Sequence, residues 1–115
     1  MAREIRHFVA DILEAISIIE NAIQEKSFAD YQSDIILRLG IERAIEIISE
    51  ASRRIPEDIL ETRPEIEWKK VRGIGNILRH EYYGLSAPII WGVVIDELPR
   101  LHVAMTAIRE AADHP

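Results

Sequence analysis

Apolar residues near the N-terminus recur at Ile5, Phe8, Ile12, Ile16, Ile19 and Ile23. Steps of three and four residues make one face of a helix, where a strand would step by two. Asp11, Glu14, Glu20 and Glu25 fall off that stripe, and the pattern predicts a first helix over about 2–24. Ser27-Phe28-Ala29-Asp30 has the form of a weak capping box, a serine with an acid three residues on. A long second helix is expected to follow, to about Arg54, with the stripe Leu37, Ile41, Ala44/Ile45, Ile48, Ala51/Ser52 and Ile55. Ile35, Ile36 and Leu39 widen its apolar surface, which suggests contact with both the core and a partner. Gly40 costs about 1 kcal/mol against alanine in a helix, so a close helix crossing is expected there.

Pro56 suits the first turn of a short helix. Thr62-Arg63-Pro64-Glu65 reads as a capping box opening a third helix, from Ile66 to about Tyr83. Gly84 stands where a glycine ends such a helix. Ser86-Ala87-Pro88 opens a fourth, with Ile89/Ile90, Val93/Val94, Leu98, Leu101, Met105 and Ile108 on one stripe and Pro99 as its kink or break. The sum is an all-α fold, an antiparallel up-down bundle of four or five helices. Its 115 residues form one domain over 1–115.

Composition narrows the functional classes. Isoleucine is the commonest residue, yet its helical spacing overrides its strand preference. The absence of cysteine removes disulfides, thiolate metal sites and a cysteine nucleophile. Met1–Ile5 carries charges at short intervals, so no signal peptide is expected. No apolar run approaches the roughly 20 residues of a membrane span, and a cytoplasmic location is expected. The net charge of −6 argues against a generally sticky nucleic-acid binder. That charge is unevenly spread. From Trp68 to Tyr83 the cations Lys69, Lys70, Arg72 and Arg79 face only Glu81, a segment of +3 in a background of −9.

The same segment concentrates polar chemistry. Asn76 and His80 are four apart and share a helix face. Gly73 and Gly75 either bend the helix or admit a second backbone or a phosphate. His80 can serve as general acid or base, and Arg72 or Arg79 can hold a phosphate. Those groups suffice for metal-independent RNA cleavage, in which the 2′-hydroxyl is the internal nucleophile. A lone histidine near a helix end is, however, more often a structural or capping group. Trp68 and Trp91 read as packing, and Glu42, Glu46 and Glu50 as a solvated row with Arg53 and Arg54 as partners. His7 and His102 have no acidic partner at ligand spacing. No metal or cofactor is expected, since the Glu-x-x-His pairs of a di-metal bundle are absent.

The run Trp68-Lys69-Lys70-Val71-Arg72-Gly73-Ile74-Gly75-Asn76-Ile77-Leu78-Arg79-His80-Glu81-Tyr82-Tyr83-Gly84 resembles the signature helix of the HEPN superfamily, in its HepT-like branch. Leu39–Ile55, with Glu50-Ala51, and Trp91 through Leu98-Pro99-Arg100-Leu101 are similar to the other patterns of that branch. The resemblance spans nearly the whole chain. It implies a homodimer whose motif helices face each other across a cleft, and an endoribonuclease toxin paired with a minimal nucleotidyltransferase antitoxin. It also implies that His80 is the catalytic histidine, Asn76 the motif asparagine, and Tyr82 the residue that the antitoxin adenylylates. The branch carries an arginine directly before the asparagine, and here that position is Gly75. Arg72 lies eight residues before His80, about 12 Å along a helix. Arg79 is adjacent to His80 and about 100° round. Either serves if the helix unwinds near Gly73 and Gly75, or if a dimer supplies a cation from the other chain. The alternative is a degenerate dimer that binds RNA, a nucleotide or a nucleotidyltransferase without cutting.

Overall fold

A computed structural model describes residues 2–80 and 86–114. Its elements are α1 (Arg3–Ala22), α2 (Phe28–Ser33), α3 (Ile35–Ser52), α4 (Glu57–Leu60), α5 (Trp68–His80), α6 (Ala87–Gly92), a π-helical turn (Val93–Glu97) and α7 (Leu98–Asp113). The described residues are an all-α bundle in which α1 packs on α3 and α7, and α3 packs on α5. One core of isoleucine, leucine, valine and alanine from these helices joins them, with Ile12, Ile16, Ile19, Ile90 and Met105 almost wholly buried.

The chain is divided more finely than its stripes predict. The turn at 27–30 is a complete capping box: the Asp30 N–H donates to Ser27 Oγ at 3.2 Å, and the Ser27 N–H to Asp30 Oδ2 at 2.8 Å. Those bonds hold the exposed Asp30 carboxyl below its ordinary pKa. The expected long helix then breaks at Asp34, whose backbone is extended. Its carboxylate accepts from the Leu37 N–H at 3.0 Å and restarts the chain as α3. No capping box forms at Thr62. Its hydroxyl donates to the Ile59 carbonyl at 2.6 Å, at the end of α4, so α5 begins at Trp68 instead of Ile66. The Trp68 indole N–H donates to the Arg63 carbonyl at 3.0 Å and pins that start.

Pro99 acts as expected, with a particular geometry. A proline lacks its N–H and crowds the carbonyl four residues back. The helix from Ala87 absorbs this by widening into the π-helical turn at Val93–Glu97 before resuming as α7. Trp91 packs with Tyr31 and Phe28, at ring-centre distances of 5.4 and 6.3 Å. Burial holds the Tyr31 phenol up at about 12, so it stays neutral. Gly84 and the predicted helix end at Tyr83 lie outside the described residues. Among the described residues no helix is long and apolar enough to cross a membrane.

Candidate functional site

The basic segment becomes α5, and its two glycines do different jobs. Gly75 is buried where α5 crosses α3. A Cβ there would stand 2.7 Å from both Cβ and Oγ of Ser49. Only glycine permits that approach. Ser49 exploits it: its hydroxyl donates to the Arg72 carbonyl at 2.8 Å and accepts from the Gly75 N–H at 3.1 Å. The close crossing expected at Gly40 is therefore at Gly75, and nothing stands within 4 Å of a Cβ built on Gly40. A Cβ on Gly73 would also meet open space. Because α5 stays helical through both glycines, no unwinding brings Arg72 to His80.

Arg72 is held elsewhere. Its guanidinium lies 3.5 Å from Glu57 of α4, and its carbonyl accepts a further hydrogen bond from Arg53 Nε at 3.0 Å. Arg79 occupies the last turn beside His80, half-exposed, with Nη1 3.9 Å from Glu50 Oε2. The other oxygen of Glu50 lies 3.6 Å from Arg54. Asn76 and His80 share the outer face of the helix, both exposed. Lys69 lies three turns before His80 near that face, exposed and with no ion pair among the described residues. Lys70 is locally neutralised by Glu67 at 2.6 Å, a contact that raises the lysine pKa and lowers the glutamate's. Tyr82 lies outside the described residues.

Two cavities flank α5, each of about 460 Å³. One is mainly apolar, walled by α3, α5, the π-helical turn and the start of α7, with Glu67, Lys69, Lys70 and Glu97 as its charged lining. The other lies between α1, α3 and α5 and contains Arg79. Two members of the expected solvated glutamate row, Glu46 and Glu50, line this cavity. Glu46 pairs with Arg43 at 3.1 Å and Glu50 with both Arg54 and Arg79. Glu42 is half-buried, and its carboxyl is pushed up by burial and by Glu46, against the pull of Arg38. Arg53 is not a partner of that row, since it reaches the Arg72 carbonyl instead.

Sequence reasoning missed three of these groups. Ser49 and Glu50 act across a helix crossing that no spacing rule reveals, although Glu50-Ala51 belongs to the resembling pattern. His102 has an acidic partner after all, with Nδ1 3.2 Å from Glu20 Oε1, on a different helix.

A small helical bundle that exposes a histidine and an arginine on the last turn of a basic helix is a scaffold for acid–base chemistry at a phosphate. The chain belongs to the HepT-like ribonuclease family, which matches residues 12–108. It is 34% identical over 110 residues to the probable ribonuclease HepT of Thermococcus cleftensis, covering 96% of this chain and all of that one. A protein of Methanocaldococcus jannaschii named as an RNase is 32% identical over 99 residues, 86% of this chain and 91% of the relative. Another from Caldanaerobacter subterraneus is 31% identical over 96 residues, covering 84% and 86%. No solved structure matches the chain.

Proposed function

We propose that the protein is a HepT-like endoribonuclease toxin that cuts RNA without a metal, with His80 as acid–base and Arg79 as the phosphate cation. The observation that carries the reading is the last turn of α5, where a half-exposed arginine that lines an open cavity is followed directly by an exposed histidine. In the reaction the 2′-hydroxyl attacks the neighbouring phosphorus and gives its proton to a base. The 5′-oxygen leaves with a proton, and a 2′,3′-cyclic phosphate remains. His80 carries the proton transfers, Arg79 offsets charge on the phosphorane oxygens, and Asn76 donates to the substrate from one turn before His80.

The choice of Arg79 over Arg72 follows from helix direction. Helical side chains lean toward the N-terminus. Arg79 lies one turn after Gly75 on the same face, and its side chain reaches back along α3 to Glu50, at the edge of the cavity. The arginine that the resemblance places at Gly75 is thus replaced in function from position 79. Arg72 is tied to Glu57, and its role is to hold α4 against α5. The reading predicts that Arg79→Ala lowers RNA cleavage about 100-fold, while Arg72→Ala changes it less than about threefold. Equal losses in both variants would remove Arg79 from its assigned role.

A homodimer completes the site in this reading. Ile36, Gly40, Arg43 and Ile47 form an exposed stripe on α3, flanked by Leu39, and it runs into the cavity that contains Arg79. Gly40 is open to the approach of a second helix. Silencing falls to a nucleotidyltransferase partner: the Tyr82 oxygen attacks the α-phosphorus of ATP and displaces pyrophosphate. The nucleotide it gains blocks RNA by charge and volume. Tyr82→Phe is expected to remain active in the presence of the partner and ATP.

A further inference from the structure

The cavity beside Arg79 contains one carboxylate that its arginines do not use. Three arginines and three acids line it. Glu46 and Glu50 engage Arg43, Arg54 and Arg79. Asp11, on α1, is only partly exposed and has no ion pair or side-chain hydrogen bond among the described residues. Three residues earlier on the same helix face, half-buried Phe8 forms an apolar part of the wall. A pocket of about 460 Å³ has ample room for a purine. Its formal charges cancel, so the acids do not repel an incoming RNA strand.

We infer that this pocket receives a guanine base, that of the nucleotide whose 2′-hydroxyl attacks, with the Asp11 carboxylate accepting from its N1–H and N2–H groups. The inference rests on the ribonuclease reading and names the substrate of that site. Unpaired RNA bases are recognised by stacking on aromatic rings and by hydrogen bonds on the Watson–Crick edge. Phe8 and Asp11 supply one of each. Among the four bases only guanine presents two adjacent N–H donors to the two oxygens of a carboxylate. Adenine and cytosine offer one amino group beside a ring nitrogen that repels it, and the single N–H of uracil lies between two carbonyls. Arg79 lines the same pocket and is the cation within it that the ribonuclease reading assigns to the phosphate.

The test has a binding arm and a cleavage arm. The wild-type protein is titrated with the 3′-monophosphates of guanosine, adenosine, cytidine and uridine. It is then given a single-stranded RNA of mixed sequence, and its cut sites are mapped. Guanosine 3′-monophosphate should bind about tenfold or more tightly than the others, the discrimination of one bidentate pair. Cuts should follow guanosine with a similar bias. In Asp11→Asn, which loses one of the two acceptors, both preferences should flatten. Equal binding of the four nucleotides, no binding of any, or a bias that survives in Asp11→Asn would each overturn the inference. Selective guanosine binding without cleavage would instead sink the ribonuclease reading and leave the base pocket standing. Cleavage without base preference would do the reverse.

Discussion

Glu42 shows how burial on one helix face sets a titration. It stands half-buried on α3 beside Arg38 and Glu46, and burial pushes its pKa above the ordinary glutamate value. The folded chain therefore binds this proton more readily than the unfolded chain. That favours folding below the ordinary value, and the advantage is lost as pH rises through the elevated pKa. Glu42→Gln should accordingly raise the melting temperature at pH 7. The gain should shrink toward zero below about pH 4, where both states are protonated. A variant less stable than wild type at pH 7 would contradict the assignment. Glu25 offers a second check on local energetics. Its φ of 62° places a non-glycine residue in the left-handed region where α1 ends. Glu25→Gly is expected to stabilise the protein by about 1 kcal/mol, read by denaturant unfolding.

At the scale of elements, the α3–α5 crossing decides what α5 can present. Ser49 and Gly75 set the axial register, and Glu50 draws Arg79 to the cavity edge. Gly75→Ala drives a Cβ against Ser49. It should cost about 1–3 kcal/mol, as overpacking does. Gly75→Arg should fail for the same reason and not create or improve activity. Soluble, fully folded Gly75→Arg with raised cleavage would refute the crossing as described. The major helices were legible in the sequence because burial repeats with the helical period, as along Ile12, Ile16 and Ile19. Their ends were less so, because side-chain hydrogen bonds arbitrate them. Thr62 spends its hydroxyl on Ile59 and caps nothing, and Asp34 splits what hydrophobicity alone joins. Glycines were legible as exceptions but not in kind, since whether Gly40 or Gly75 takes the close contact depends on what lies opposite. The candidate cation was likewise undecided until Glu57 and Glu50 appeared across the helices. Asp11 read as an ordinary off-stripe acid because a cavity formed by three helices has no linear signature.

The whole molecule is elongated, 45 × 30 × 23 Å, with a radius of gyration of 14.2 Å against about 13 Å for a compact chain of this length. Among the described residues the apolar side chains at the start of the α3 stripe stay uncovered: Ile36 is 76% exposed, and its neighbours Ile35 58% and Leu39 56%. On the dimer reading this is where copies meet, and the burden falls on those few apolar anchors. Ile36→Asp should weaken dimerisation about tenfold or more, seen by sedimentation, and lower cleavage in proportion to the dimer lost. Wild-type protein that is monomeric and fully active would refute it.

Uneven charge bears on the proposed use of RNA. An acidic body that carries a segment of +3 on α5 and the residues just after it should bind RNA at one place, with affinity falling as salt rises. The most direct measurement is cleavage of a single-stranded RNA by the pure protein in excess chelator, wild type against His80→Ala. Cleavage by the wild type is expected, with products ending in a 2′,3′-cyclic phosphate and a loss of about 100-fold or more in His80→Ala. Equal rates in the two proteins, or no wild-type cleavage until a divalent metal is added, would contradict the ribonuclease reading.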